Sequence, residues 1–504
     1  MRPIDHLRRG CERSPNAIAV AGPDAPITYR ALTDAVAAVA SAFQALDSRA
    51  GSRVGICARN TVEHLIALLA TYAAGKVWVP LNPTNSRADL DRMIVATRPT
   101  LMVADESCLD RFTPVDAPLV IAKAAAPAGG HPTVRGLMVE QSGRYPEPVP
   151  REPDDPQIIK FSGGSTGVPK PVVQPVRCVN AQIDGILDSF ALDASDVNLI
   201  AAPLTHGASC FVLPILSAGG SHVMLEEPKP NRVLDAIATH GVTTMYAPPT
   251  LIYGMLGDPS VTARQYSTLR HLIYSAAPMR PDQIREAQRV FGPVIETAYG
   301  QVEAPQIVTA MRAQELELDE NLASIGRPSS VADVAIMNVA GEMVPNGETG
   351  EIVVRGPLVM SGYLDQPEMT AATIVDGWLH TGDLGRIDDR GYVYIRGRLR
   401  EVINTGGFKV FPGDVEAVLA THPSVAECSV FGVPDEKWGE AVTAAVRLRP
   451  GQKADATALM ALVKAELGSV KAPKAIHFVD ALPRNAAGKV SRADVRRQVM
   501  GMVG

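Results

Sequence analysis

Residues 158–170 read Ile158-Ile159-Lys160-Phe161-Ser162-Gly163-Gly164-Ser165-Thr166-Gly167-Val168-Pro169-Lys170. A short apolar run enters a loop of glycines, hydroxyls and one closing lysine. Glycine lets a backbone turn its N–H groups inward without Cβ clashes, and a concave row of N–H groups holds anions. Ser162, Ser165 and Thr166 add hydroxyl donors, and Lys170 adds a mobile positive charge. The spacing departs from G-x-x-x-x-G-K-[ST], so this is not a Walker loop. Taken alone, the stretch also reads as a flexible surface loop.

Outward from the loop, β-rich runs alternate with helical patterns. Arg53–Cys57, 77–81, Leu101–Ala104, 118–122, 198–202, 222–226, 243–247, 272–275 and 294–298 read as strands. Between them, 62–74, 87–96, 176–190, 230–239 and 281–291 read as helices. Such alternation predicts α/β layers with largely parallel sheets. The Pro-, Gly- and Ala-rich stretch 123–156 reads as a surface connection. After Ser324, short strands separated by Gly and Asn turns predict a small β-rich subdomain. A last alternating unit of about 100 residues begins near Arg398, enough for a domain of its own.

A chain of 504 residues exceeds the roughly 100–200 residues of one domain, so at least two are expected. Net charge is −6 with no basic block, which gives no electrostatic reason to expect nucleic acid or an acidic membrane as partner. The six cysteines are scattered and none forms CxxC, as in reduced cytosolic proteins. Residues 1–14 are too charged for a signal peptide. No run approaches the roughly 18 apolar residues of a membrane span. A cytoplasmic, multidomain protein is the expectation.

Further segments carry candidate chemistry. Ala298-Tyr299-Gly300-Gln301-Val302-Glu303 places a ring and a carboxylate at a strand end, where α/β sheets bind ligands. Gly377-Trp378-Leu379-His380-Thr381-Gly382-Asp383 puts an acid after a tight turn, and Asp can accept from both hydroxyls of a ribose. Gly397-Arg398-Leu399-Arg400 leads into Gly406-Gly407-Phe408-Lys409-Val410, and Pro483-Arg484-Asn485-Ala486-Ala487-Gly488-Lys489 presents a lysine on a glycine turn.

In this order, from about Thr28 to Lys489, these motifs resemble the adenylate-forming superfamily of acyl- and aryl-CoA ligases, adenylation domains and luciferases. Supporting stretches are Gly326-Arg327-Pro328, Gly362-Tyr363 and Trp438-Gly439-Glu440. The resemblance implies an α/β fold with a large N-terminal domain, 1–398, of two α/β sheet subdomains plus a small β-rich subdomain. A mobile small α+β C-terminal domain, 399–504, would turn about a hinge at Arg400. The implied reaction joins a carboxylic acid to the α-phosphate of ATP, releases pyrophosphate, and passes the acyl group to the thiol of CoA.

The resemblance also implies roles. Ser162, Gly163, Gly164, Ser165, Thr166, Gly167 and Lys170 would cradle the phosphates. Glu303 would hold Mg²⁺, a hard cation suited to carboxylate and phosphate oxygens. Tyr299 and Gly300 would lie at the adenine, with Ser275, Ala276, Ala277 and Pro278 along its edge. Asp383 and Arg398 would hold the ribose, and Lys489 the charge of the adenylation step. Gly406 and Gly407 would line the pantetheine passage, with Trp438, Lys471 and Lys474 towards CoA. The acid pocket would comprise His206, Gly207, Ala208, Tyr246, Ala247, Pro248, Ala277, Gly300, Val302 and Pro305. A homodimer is compatible with the resemblance.

The chain departs from the family pattern at Val302, where Thr is usual, at Gly163, where Ser is common, and at Pro171, where Gly is common. The acid-pocket residues are mainly small and apolar, and the one acid in the stretch 299–305, Glu303, is assigned to Mg²⁺, so an amino acid substrate is not expected. An aromatic acid and CoA are the leading expectation. A medium-chain fatty acid, a carrier-protein thiol as acceptor, and a non-catalytic nucleotide-binding role are the alternatives.

Overall fold

The computed structural model describes residues 1–21, 26–124, 130–163, 169–484 and 490–503. The chain divides into two compact units. One holds Met1–Val334, Val354–Leu379 and Gly391–Val393; the other holds Ala335–Val353, His380–Arg390 and Tyr394–Gly504.

Two sheets organise the first unit among the described residues. In one, Arg53–Cys57, Val77–Pro80, Leu101–Ala104, Leu119–Ile121 and Pro156–Ser162 run parallel. Val77–Pro80 and Leu101–Ala104 are buried at every residue, as strands covered on both faces must be. The helix Val62–Ala73 explains one cover: the Thr61 hydroxyl caps it by accepting from the His64 N–H, and it is buried all round. In the other sheet, Val197–Ile200, Ser221–Met224, Thr244–Ala247, His271–Tyr274 and Ile295–Tyr299 are parallel neighbours. The expected α/β layering is therefore observed. The helix Val176–Phe190 and the strands Arg53–Cys57 and Leu101–Ala104 fall on the bounds read from the sequence.

One expectation fails. The stretch 123–156 is not all connection, because Val134–Glu140 is a helix. Thr133 caps it by accepting from the Gly136 N–H, and Val134 and Leu137 are buried. A short capped helix with two apolar anchors was outweighed by the surrounding Pro and Gly. The charged N-terminal stretch likewise folds, as the helix Asp5–Arg13, with Leu7 and Gly10 buried.

In the second unit, Asp333–Met337 (from Ala335 onward), Gly350–Arg355 (up to Val353), the His380–Ile387 portion of Trp378–Ile387, and the part of Val393–Arg398 from Tyr394 belong to one small sheet. A further sheet orders Phe408–Val410, Ile403–Thr405, Gly439–Leu448 and Val425–Asp435, with Ala475–Phe478 parallel to Gly439–Leu448. Val415, Leu419, Val430, Val442, Leu459 and Val463 pack its core. Among the described residues, no helix is long and apolar enough to cross a membrane.

Candidate active site

The opening loop is the connection of an antiparallel hairpin. Pro156–Ser162 pairs with Lys170–Pro175, and Ser162 lies opposite Lys170. The loop ends are thus pinned at its base. Gly164, Ser165, Thr166 and Gly167 lie outside the described residues, as does Lys489. Among the described residues, nothing lies within 4 Å of where a Cβ on Gly163 would stand. Pro171 sits opposite Phe161, and its carbonyl accepts from the Leu364 N–H at 2.8 Å.

Gly362–Tyr363 pairs antiparallel with Lys170–Pro175, setting Tyr363 opposite Val172. This places the Tyr363 ring 5.5 Å from the Lys170 ammonium, a cation–π distance. The Tyr363 hydroxyl donates to Glu303 Oε1 at 3.0 Å. The Glu303 carbonyl accepts from the Met360 N–H at 2.8 Å, and the Val302 carbonyl from the Gln174 amide at 2.8 Å. The turn bearing Glu303 is therefore held by the hairpin that carries the loop. The Val302 side chain packs on the core instead of presenting a hydroxyl.

Around it converge the carboxyl ends of adjacent parallel strands, the edge where α/β sheets bind ligands. Tyr299 ends Ile295–Tyr299 and Ser275–Pro278 follow His271–Tyr274. Ala276 has φ +77°, an uncommon conformation for a residue with a Cβ, of the kind that clusters at functional sites. Gly300 is dictated by space: a Cβ there would lie 2.3 Å from the Gln306 nitrogen. Ala247 ends Thr244–Ala247, with Pro248 next. Ala208 is 3% exposed and lies in the short helix Gly207–Phe211. Tyr246 stacks on Phe211 with ring centroids 5.6 Å apart, and burial holds its phenol above the ordinary range. A Cβ on Gly207 would lie 2.5 Å from the Tyr246 ring, so this glycine admits the ring. The His206 carbonyl accepts from the Lys160 ammonium at 3.3 Å, and the His206 ring meets the Thr205 hydroxyl at 3.0 Å. Sequence reasoning singled out neither Lys160 nor Phe211; an isolated Lys in an otherwise apolar strand was the available signal.

In the second unit, Asp383 is buried and paired with Arg398, Nε to Oδ1 2.7 Å. It lies inside the strand Trp378–Ile387 instead of just after its turn. Arg400 lies in the short turn Leu399–Glu401. Gly406 and Gly407 join Ile403–Thr405 to Phe408–Val410, with φ +58° and +82°. Positive φ at both positions is what a two-residue turn of type I′ requires. A Cβ on Gly406 would also come within 2.9 Å of Trp438. The ammonium groups of Lys437 and Lys474 lie 4.9 and 5.5 Å from the Trp438 ring. Lys471 instead pairs with Asp414 at 2.8 Å.

The hairpin base at Ser162 and Lys170, the braced Glu303 and the row of parallel strand ends fit an AMP-forming ligase of the adenylating class. The chain belongs to the AMP-binding enzyme family, which it matches over residues 7–364, and residues 414–489 match the AMP-binding enzyme C-terminal domain. It is 35% identical over 492 residues to the medium/long-chain-fatty-acid–CoA ligase FadD8 of Mycobacterium tuberculosis, covering 94% of this chain and 86% of that protein. It is 33% identical to a feruloyl-CoA synthase of Amycolatopsis sp, covering 97% of both. The ATP-bound structure of MatB from Rhodopseudomonas palustris superposes with TM-score 0.90 at 28% identity, covering both chains fully.

Proposed function

We propose that this chain is a cytoplasmic acid–CoA ligase whose acid is aromatic, with the residues named above as its site. The observation that carries the aromatic reading is the Tyr246–Phe211 stack behind Gly207, an aromatic wall suited to a flat ring. Activation of the acid requires two anions to meet, so positioning and charge neutralisation dominate. The acid carboxylate attacks the α-phosphorus of ATP, pyrophosphate leaves, and the acyl-adenylate forms. The CoA thiol then attacks the acyl carbon and AMP leaves.

The loop 162–170 holds the phosphates, and Lys489 stabilises the charge of the first step. His206 stands beside the carboxylate, Tyr299 at the adenine, and Asp383 with Arg398 at the ribose. Glu303 fits Mg²⁺: its carboxylate offers hard oxygens, one already oriented by Tyr363. When bound, Mg²⁺ supplies positive charge beside the phosphates. Residues 399–504 form the mobile domain, turning at Arg400 between half-reactions, and the Trp438–Lys474 face receives CoA.

The test is pyrophosphate release from ATP and Mg²⁺ across a panel of aryl and alkyl acids, each with CoA. Preference for aryl acids with CoA-thioester product is the expected result. Preference for alkyl acids sinks the aromatic reading, and no release with any acid sinks the ligase reading.

A further inference from the structure

Lys160 stands in the strand Pro156–Ser162, two positions before the phosphate loop, and is 8% exposed. Its ammonium donates to the Ser209 hydroxyl at 3.0 Å and to the His206 carbonyl at 3.3 Å, and lies 5.4 Å from the Trp78 ring. All three partners are uncharged. Among the described residues, no carboxylate pairs with it. The cavity beside it is lined by groups such as Leu68, Tyr72, Ile158, Gln182 and Cys210 and, among the described residues, by no acid. A buried ammonium without a counter-charge is costly, and Lys is almost never buried unless paired. A methionine would fill the same volume without that cost. Packing alone therefore does not call for a charge at this position.

We propose that Lys160 is a positioning residue of the acid site: its ammonium fixes the His206 turn and supplies the positive charge against which the substrate carboxylate settles. This rests on His206 lying at the acid, as above. Ser209 completes the device, since its hydroxyl accepts from Lys160 and donates to the same His206 carbonyl at 2.8 Å. Lys160 and the phosphate loop share one strand, so the acid turn and the loop that would hold ATP are registered to each other. The anion it serves is the free acid. Once the carboxylate is joined to AMP as a mixed anhydride, its charge is gone.

The experiment uses the full chain with Lys160→Met, Lys160→Arg and Ser209→Ala. KM for acid and for ATP come from pyrophosphate release, and the second half-reaction from preformed acyl-AMP with CoA. Thermal unfolding reports folding. Lys160→Met is expected to keep or raise Tm and to raise the acid KM about tenfold or more, given a charge acting across a few ångströms at an effective dielectric near 20. The ATP KM and the reaction from acyl-AMP should change by less than about twofold on the same electrostatic argument. Lys160→Arg should recover part of the loss, and Ser209→Ala should show a weaker version of it. Equal loss in both half-reactions, or equal rises in both KM values, overturns the proposal and leaves Lys160 a structural prop. Should Lys160→Met fail to fold, an acid KM unchanged in Ser209→Ala overturns it. A wild-type chain inactive with every acid overturns the ligase reading, and this proposal with it.

Discussion

The Tyr363 hydroxyl donates to Glu303 Oε1 at 3.0 Å, across a separation of sixty residues in the chain. A hydrogen bond to a charged acceptor contributes roughly 1.5–3 kcal/mol, and here it fixes which carboxylate oxygen stays available. Tyr363→Phe keeps the ring and removes the donor. The Mg²⁺ concentration for half-maximal pyrophosphate release should rise about fivefold, the factor for about 1 kcal/mol. An unchanged Mg²⁺ dependence would separate Tyr363 from cation binding.

Gly207→Ala tests the acid wall. The new Cβ would start 2.5 Å from the Tyr246 ring, and that ring is backed by Phe211, so it cannot simply swing away. Overpacking of this kind costs about 1–3 kcal/mol. The acid KM should rise severalfold while the ATP KM stays level. A matched rise in both would place the wall outside the acid pocket.

Lys489→Ala addresses the division of labour between half-reactions. If Lys489 serves only adenylation, pyrophosphate release nearly vanishes, while thioester formation from supplied acyl-AMP and CoA stays near the wild-type rate. Comparable losses in both assays would rule out domain alternation with this lysine in only one pose.

Asp105 gives a pH signature unconnected with catalysis. It is 3% exposed, and burial pushes its carboxyl up to about 6, helped by the nearby Glu226. A raised folded-state value means the native chain holds the proton more tightly than the unfolded one. Its contribution is therefore full below the ordinary carboxylate value near 4 and lost as pH rises through about 6. Asp105→Asn retains an acceptor for the Arg59 N–H that Asp105 Oδ2 now binds at 2.7 Å. The variant should unfold at higher temperature than wild type at pH 7.5, by up to about 2 kcal/mol of stability, with the gap closing towards pH 4. A gap independent of pH would exclude this titration.

Much of the parallel framework was legible, because doubly covered strands such as Leu101–Ala104 are unbroken apolar runs. The hairpin strand Lys170–Pro175 was not: prolines at both Pro171 and Pro175 argue against a strand. The helix Tyr29–Leu46 also went unread, although Thr28 marks its start by accepting from the Ala31 N–H. At the site, Glu303, Tyr299 and His206 were visible as motif residues, and Asp383 and Arg398 were each marked, then found in one ion pair. Tyr363 was marked only as part of a motif, since its position depends on pairing with Val172 far away in sequence. Lys160 escaped notice because its partners, at 206 and in the short helix Gly207–Phe211, follow a strand of the other sheet, a meeting only the fold creates.

The Tyr363 ring touches Lys170 on its face and Glu303 through its hydroxyl. A cation at the carboxylate and an anion at the lysine would therefore press on opposite sides of a single side chain. Thermodynamic reciprocity then binds the two occupants together: whatever factor the nucleotide contributes to cation affinity through this ring, the cation must return to the nucleotide. Tyr363→Phe and Tyr363→Leu divide that coupling into its polar and aromatic halves, and the order in which metal and nucleotide are added should leave the final complex unchanged.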